Sequence, residues 1–87
     1  MDLDRAWQLS PRVAVRPEPF GALLYHFGTR RLSFLKDRRL LAAVQALPAA
    51  PSAREACAAA GIAEAELPTY ARALAQLADT DMIQERP

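Results

Sequence analysis

Residues 16–35, which read RPEPFGALLYHFGTRRLSFL, decide the fold of this chain. Two runs of apolar and β-favouring residues flank the dipeptide Gly28-Thr29. Glycine at the first central position suits a two-residue type II′ turn, because it adopts a positive φ without steric cost. Counting outward from that turn places Tyr25 opposite Leu32. The stretch therefore predicts an antiparallel β-hairpin with a defined register.

Alternation along the hairpin predicts which of its faces is buried, because successive side chains of a strand point to opposite sides. One face collects Leu23, Tyr25, Phe27, Leu32 and Phe34. The other face carries Leu24, His26, Arg31 and Ser33. We expect the first, more apolar face to lie against the core and the second face to meet solvent.

The rest of the chain predicts one further strand and three helices. Val13 and Val15 indicate a strand near residues 12–16, and two prolines and a glycine turn the chain over residues 17–21. The hairpin then leaves its last strand at the edge of a three-stranded sheet.

Helical periodicity begins after that strand, with Asp37 as the first N-cap. Ser52 and Glu55 form a capping box for a second helix, and Gly61 ends it. A third helix runs from about Leu67, with Pro68 in its first turn. We predict an α+β, winged-helix-like fold with a three-stranded antiparallel sheet followed by three helices.

Size, composition and charge bound the protein's class. The 87 residues, 52% of them hydrophobic, predict a single domain over residues 1–87, with residues 1–11 as a candidate flexible segment. Residues 1–47 hold eight Lys or Arg against four Asp or Glu, and residues 48–87 hold three against six. This split favours an acidic partner for the strand half, although a solvated surface would give the same pattern.

Cysteine usage and the absence of targeting segments predict the compartment. The single cysteine excludes an internal disulfide and points to a reducing environment. The start MDLDRAW lacks the features of a signal peptide, and no apolar run is long enough to span a membrane. We expect a cytoplasmic protein that has no membrane as a partner.

Groups that carry catalysis are sparse. His26 is the only histidine and Cys57 the only cysteine, and the three glycines are scattered, so neither a metal cluster nor a phosphate-binding loop can be assembled. We interpret His26 as a solvated or packing residue and Cys57 as a small core residue. The chain is therefore not expected to be an enzyme or to hold a cofactor of its own.

The open edge of the third strand is the remaining candidate site. Exposed edges can pair with another chain, and the basic residues Arg30, Arg31 and Lys36 beside this one are either protection against such pairing or attraction for a ligand. In the second interpretation an extended acidic peptide adds a strand to the edge. A groove between this strand and the third helix, walled by Tyr70 and Leu74, would supply specificity.

Two other classes of function stay open at this point. A winged-helix DNA-binding regulator would use the basic residues, but the third helix offers only Arg72 and Gln76 to base edges, so we do not expect a nucleic-acid partner. A structural subunit could form a homodimer through the open edge.

Residues 16–37, RPEPFGALLYHFGTRRLSFLKD, preceded by AWQLSPRVAV, resemble the small peptide chaperones of the mycofactocin biosynthetic system. These are similar to the PqqD-like recognition domains for ribosomally made, post-translationally modified peptides. The resemblance implies a non-catalytic domain that binds the leader of a short precursor peptide and presents it to a radical S-adenosylmethionine (SAM) enzyme. The iron–sulfur cluster and the methionine-derived cofactor would then belong to that enzyme.

The resemblance also implies a site. In that family the leader docks as an added strand on the third strand, in the cleft shared with the third helix. Carried over by position, the peptide-binding residues are Arg30, Arg31, Leu32, Ser33, Phe34, Leu35, Tyr70, Leu74 and Leu77. Many PqqD-like sequences have an asparagine after the third strand, where this chain has Leu35-Lys36-Asp37, so the start of the first helix is expected to differ.

Overall fold

A three-stranded antiparallel sheet, three helices and a second, two-stranded ribbon make up the fold in a computed structural model that describes residues 1–87. The strands are β1 Trp7–Leu9, β2 Val13–Glu18, β3 Gly21–His26, β4 Leu32–Leu35 and β5 Ile83–Glu85. The helices are α1 Arg38–Ala46, α2 Ala53–Ala59 and α3 Leu67–Asp79. Single 3-10 turns at Leu47–Ala49 and Glu64–Glu66 lead into α2 and α3. The predicted fold class is confirmed, and none of the helices has the length and apolar character needed to cross a bilayer.

The main sheet has the order β2-β3-β4, so β4 lies at an edge. Tyr25 pairs with Leu32 and Leu23 with Phe34, which confirms the predicted register of the hairpin. The strand predicted near residues 12–16 corresponds to β2 and is longer than predicted. It continues through Pro17 to Glu18, and the chain reverses over the next two residues.

The hairpin turn differs from the prediction. Four residues, Phe27 to Arg30, lie between the hydrogen-bonded pair His26 and Arg31, and the positive φ of 61° lies at Arg30 rather than at Gly28. The backbone N–H of His26 donates to the carbonyl of Arg31 at 3.0 Å, which closes the loop. A four-residue loop has the same centre as the predicted two-residue turn, so the register is unchanged.

The buried and exposed faces of the hairpin are the reverse of the prediction. Ala22, Leu24 and Leu35 are buried in the same cluster as Val44 of α1 and Leu74 of α3. The more apolar set of side chains, which we expected inside, points away from the helices. Small side chains on the inner face, Ala22 and Ser33 among them, let the helices pack close to the sheet.

Gly21 and Gly61 are the two glycines with a positive φ, and Gly21 sits where two strands approach each other. A Cβ at Gly21 would lie 2.1 Å from the carbonyl oxygen of Leu35, so only glycine fits beside the end of β4. Gly61 has φ 83° and ends α2, as predicted.

The N-terminal segment, residues 1–11, contains a strand that the sequence did not predict. In the ribbon β1 and β5, Trp7 pairs with Glu85 and Leu9 with Ile83. Further backbone bonds join Ser10 to Met82 at 2.9 Å and Arg86 to Ala6 at 2.9 Å. The two ends of the chain are therefore held together beside the core.

The helix caps follow local sequence signals. The Asp37 carboxylate accepts from the amides of Arg39 and Leu40, and the Ser52 hydroxyl accepts from the amide of Glu55. Both predicted N-caps are confirmed, but the capping box is only half formed, because the Glu55 side chain does not accept from the Ser52 amide. Cys57 is buried, which raises the pKa of its thiol, and it packs as the predicted small core residue.

Candidate functional site

The outer edge of β4 presents unpaired backbone groups. In an antiparallel pair the residues alternate between hydrogen-bonded and non-bonded positions. The bond from His26 to Arg31 fixes this alternation, so Ser33 and Leu35 bond to β3 while the N–H and C=O groups of Leu32 and Phe34 point away from it. An extended chain could use these four groups to continue the sheet.

The opposite edge of the sheet is blocked. The Phe27 amide donates to the Arg12 carbonyl at 2.8 Å, and the same alternation puts Pro17 of β2 at an outward-facing position. Proline has no N–H to donate, and it is a common device for preventing edge-to-edge pairing. The sheet is thus closed to a further strand at β2 and open at β4.

A cavity of about 360 Å³ lies beside the open edge, between β4, α1 and α3. It is lined by Ser33, Phe34, Leu35, Leu40, Ala73, Gln76, Leu77, Asp79 and Thr80. Because inner-face side chains of an added strand would point the same way as Ser33 and Leu35, every second side chain of that strand would enter this cavity. We call it the edge cavity.

A second cavity of about 470 Å³ shares Leu40 and Ala73 with the edge cavity. It is lined by Asp37, Arg39, Leu40, Ala65, Glu66, Thr69, Tyr70 and Ala73. The two cavities form one groove along the length of α3, and we refer to it as the α3 groove.

A hydrogen-bonded network makes up the polar wall of the second cavity. The Tyr70 hydroxyl donates to Asp37 Oδ2 at 2.5 Å, and Arg39 forms two bonds to the Glu66 carboxylate at 2.8 and 2.6 Å. The Arg39 guanidinium also lies 5.3 Å from the centre of the Tyr70 ring. This network joins the N-terminus of α1 to that of α3 and holds the shape of the groove.

The same contacts shift the titration of these groups. The bond from Tyr70, followed by the amides of α1, lowers the pKa of Asp37, and that bond raises the pKa of Tyr70. The bond from Arg39 lowers the pKa of Glu66, and its partner Glu66 raises the pKa of Arg39. All four groups keep their ordinary neutral-pH charge states, so the ion pair and the hydrogen bond of this wall are both intact at neutral pH.

The structure brings together only part of the predicted site. Ser33, Phe34, Leu35 and Leu77 line the edge cavity, and Tyr70 lines the second cavity. Leu74 is fully buried beneath the groove and lines neither cavity.

The other three predicted residues lie at or outside the groove's margin. Arg30, Arg31 and Leu32 are exposed, line neither cavity, and the two arginines form no ion pair. Arg30 belongs to the hairpin loop, and the Leu32 side chain points to the outer face of the sheet.

Sequence reasoning missed five residues that line the edge cavity: Leu40, Ala73, Gln76, Asp79 and Thr80. Three of these lie on α3 and Thr80 is its C-cap, at spacings of three or four from the predicted Leu77 or from each other, which places them along one side of the helix. A helical-periodicity signal for them was therefore present in the sequence. Leu40 could be found only from the packing of α1.

The arrangement suits the binding of an extended chain. No group of three or more His, Cys, Asp or Glu side chains is placed to hold a metal ion. The groove offers free backbone donors and acceptors on one side and mixed apolar and polar side chains on the other. These are the two components of recognition by strand addition.

Comparison with known proteins finds relatives that are named peptide chaperones. The chain is 56% identical over 85 residues to the peptide chaperone MftB of Mycobacterium tuberculosis, covering 98% of this chain and 78% of that protein. It is 57% identical over 82 residues to peptide chaperone MftB of Mycobacterium ulcerans (94% and 75% covered) and 52% identical over 82 residues to that of Mycolicibacterium smegmatis (94% and 80%). No solved structure matches it. Residues 6–84 match the Peptide chaperone MftB family, and the chain belongs to that family.

Proposed function

We propose that the chain binds the leader of a short precursor peptide as a strand added to β4 and delivers it to a radical SAM maturase in mycofactocin biosynthesis. Membership of a family of peptide chaperones establishes a non-catalytic accessory protein. The proposal adds the identity of the peptide, the mode of binding and the receiving enzyme.

The observation that carries the proposal is the open β4 edge beside the edge cavity. The backbone N–H and C=O groups of Leu32 and Phe34 face outward at an edge that no other element covers. At the other edge, Pro17 interrupts the row of backbone donors. Four main-chain hydrogen bonds would supply affinity without regard to sequence. Alternate side chains entering the edge cavity would supply selectivity.

Charge supports a ligand with acidic ends. Arg30 and Arg31 precede β4 and Lys36 follows it, and none of the three is engaged in an ion pair. The edge cavity itself contains the carboxylate of Asp79, and so it favours apolar or basic side chains rather than acidic ones. We therefore expect a leader whose groove-facing residues are apolar and whose acidic residues lie at its two ends.

The direct test is an NMR titration of the ¹⁵N-labelled chain with a synthetic leader peptide encoded next to it. We expect the largest amide shift changes over residues 32–35 and over residues 73–80 of α3. Changes confined to α2 and the β1–β5 ribbon would overturn the assignment of the site.

Two variants sharpen that titration. Ala73 lines both cavities, so Ala73→Arg fills the α3 groove and is expected to weaken leader binding at least about tenfold, since a loss of 1.4 kcal/mol is a factor of ten. Arg72→Ala is the matched control, because Arg72 is the exposed neighbour and lines neither cavity. The DNA-binding alternative predicts instead that Arg72→Ala weakens a salt-sensitive complex with duplex DNA.

A further inference from the structure

The outer face of the main sheet, opposite the helices, is an exposed apolar surface. All three phenylalanines of the chain lie on it or at its ends: Phe20 is 39% exposed, Phe27 58% and Phe34 60%, with Leu32 at 52%. Leu23 and Tyr25 lie between them at half-buried positions. We call these six residues the aromatic face.

This surface is concentrated in one place rather than scattered. Phe20 and Phe34 have ring centroids 6.1 Å apart, and Tyr25 and Phe27 meet edge to face at 5.4 Å. Of the large apolar side chains exposed by the molecule, Met1 alone lies elsewhere. Contiguous apolar patches on soluble proteins mark interaction sites, and clustered aromatic side chains are the residues that contribute most to protein interfaces.

Basic residues surround the aromatic face. Arg12 and the hairpin-loop residue Arg30 lie at one end, Arg16 lies on β2, and Lys36 and Arg38 lie near the other end. Within the three strands of the main sheet the one carboxylate is that of Glu18, which forms an ion pair with Arg16 at 3.0 Å. The surface is therefore apolar at its centre and positive at its rim.

The charge pattern selects among possible occupants. A second copy seated face to face by twofold symmetry would bring two positive rims together, which is unfavourable. A head-to-tail contact would need a second apolar surface, and the helical side of the molecule exposes none of comparable size. Nucleic-acid stacking is less favoured, because each of the four rings already contacts another ring in a tilted or edge-on pair, which leaves fewer ring faces open to bases.

We propose that the aromatic face is the docking surface for a folded protein whose contact area is apolar at its centre and acidic at its rim. Resting on the function proposed above, that protein is the maturase that receives the peptide. Phe34 borders both sites, but the aromatic face uses the outer surface of the sheet and the leader uses the backbone edge of β4, so the two ligands bind at the same time. A leader added to β4 would extend the face, and its outward side chains would meet the docked protein.

The test measures binding of the full chain to the purified maturase and, separately, to the leader peptide. Phe20→Ser and Phe27→Ser lie away from the α3 groove and are expected to weaken maturase binding at least about tenfold while leader affinity stays within about twofold. Ala58→Ser is the control, because it places a serine at an exposed position of α2, away from both surfaces, and is expected to change neither affinity. Arg12→Glu is expected to slow association with the maturase more than Arg72→Glu does.

Each outcome separates the two proposals. If the wild-type chain does not bind the leader, the proposed function is overturned. If both phenylalanine variants still bind the maturase with full affinity, only the docking surface is overturned. If the chain sediments as a dimer and Phe27→Ser dissociates it, the occupant of the aromatic face is a second copy. If the chain binds a single-stranded oligonucleotide and Phe27→Ser abolishes that binding, the occupant is a nucleic acid. Either result also overturns this inference.

Discussion

His26 shows how one side chain organises the hairpin. Its Nδ1 accepts hydrogen bonds from the amides of Gly28 and Thr29, both at 3.0 Å, and the ring is buried at the end of β3. A Cβ at Gly28 would lie 2.9 Å from His26 Cε1, so the glycine is required by the ring packed above it and not by a positive φ. The signal that resembled a type II′ turn has a different physical origin.

Replacing His26 tests this role. His26→Leu leaves two loop amides without their acceptor, and we expect the free energy of unfolding to fall by about 1–2 kcal/mol. His26→Asn keeps a side-chain oxygen near the position of Nδ1 and is expected to recover part of that loss. Urea denaturation of the three proteins measures both values, and equal losses in the two variants would contradict the acceptor role.

Asp37 and Glu66 make stability depend on pH at the acid end. Hydrogen bonds from Tyr70 and Arg39 lower the pKa of these carboxyls in the folded state. The two carboxylates therefore contribute fully to the free energy of unfolding above their unfolded-state pKa values of about 4. That contribution is lost as pH falls through their lower folded-state pKa values. We expect the urea midpoint to be level from pH 7 to about 5 and to drop below about pH 4.

The control for this prediction is Asp37→Asn, which keeps an N-cap oxygen but removes the carboxylate that accepts from Tyr70. Its urea midpoint is expected to be lower at pH 7 and to fall less steeply in acid. A variant with the same acid slope as the wild type would assign the slope to other carboxylates.

At the scale of elements, local signals predicted the helices and the register of the hairpin. The N-caps Asp37 and Ser52 and the stop at Gly61 depend only on residues within one turn, so the sequence shows them directly. The orientation of the hairpin was not predictable in the same way. Both of its faces carry apolar side chains, and burial is decided by where the helices pack rather than by which face is more apolar.

In the candidate site, too, some features follow from local sequence and others depend on how the elements pack. The position of β4 at an edge follows from strand order, whereas Leu77 was implied by the family resemblance. The lining residue Leu40 and the burial of Leu74 depend on how α1 and α3 meet the sheet, which no local pattern specifies. Tyr70 was expected as a groove wall, while its bond to Asp37 joins residues 33 positions apart.

A backbone substitution tests the β4 edge directly. Leu32→Pro removes an N–H that the sheet does not use, so we expect a cost to folding of about 1 kcal/mol and a loss of leader affinity of about tenfold. Leu32→Ala removes the side chain and keeps the N–H, and serves as the matched control. Isothermal titration with the leader distinguishes them, and equal affinities in the two variants would exclude strand addition at this position.

For the whole molecule, the ribbon of β1 and β5 connects the chain ends to the core. The amides of Ala53 and Arg54 at the start of α2 donate to the carbonyls of Arg5 and Leu3 at 3.0 and 2.9 Å. Ion pairs from Arg5 to Glu85 and from Arg54 to Asp4, at 2.7 and 2.8 Å, lie on the same side but are exposed and contribute little. These contacts join segments far apart in sequence, and for that reason no local signal predicted a strand within residues 1–11.

Trp7 reports on whether this ribbon unfolds together with the sheet. It is the only tryptophan, it packs half-buried against the core, and its indole N–H donates to the carbonyl of Asp2 at 2.9 Å. If the chain behaves as one cooperative unit, Trp7 fluorescence and far-UV circular dichroism will follow the same urea transition. Trp7→Ala is expected to lower the free energy of unfolding by about 2 kcal/mol and the Tm by about 10 °C, whereas Gln84→Ala, at an exposed position of the same ribbon, changes neither. A fluorescence transition that precedes the loss of circular dichroism would show instead that the ribbon opens before the sheet and the helices do.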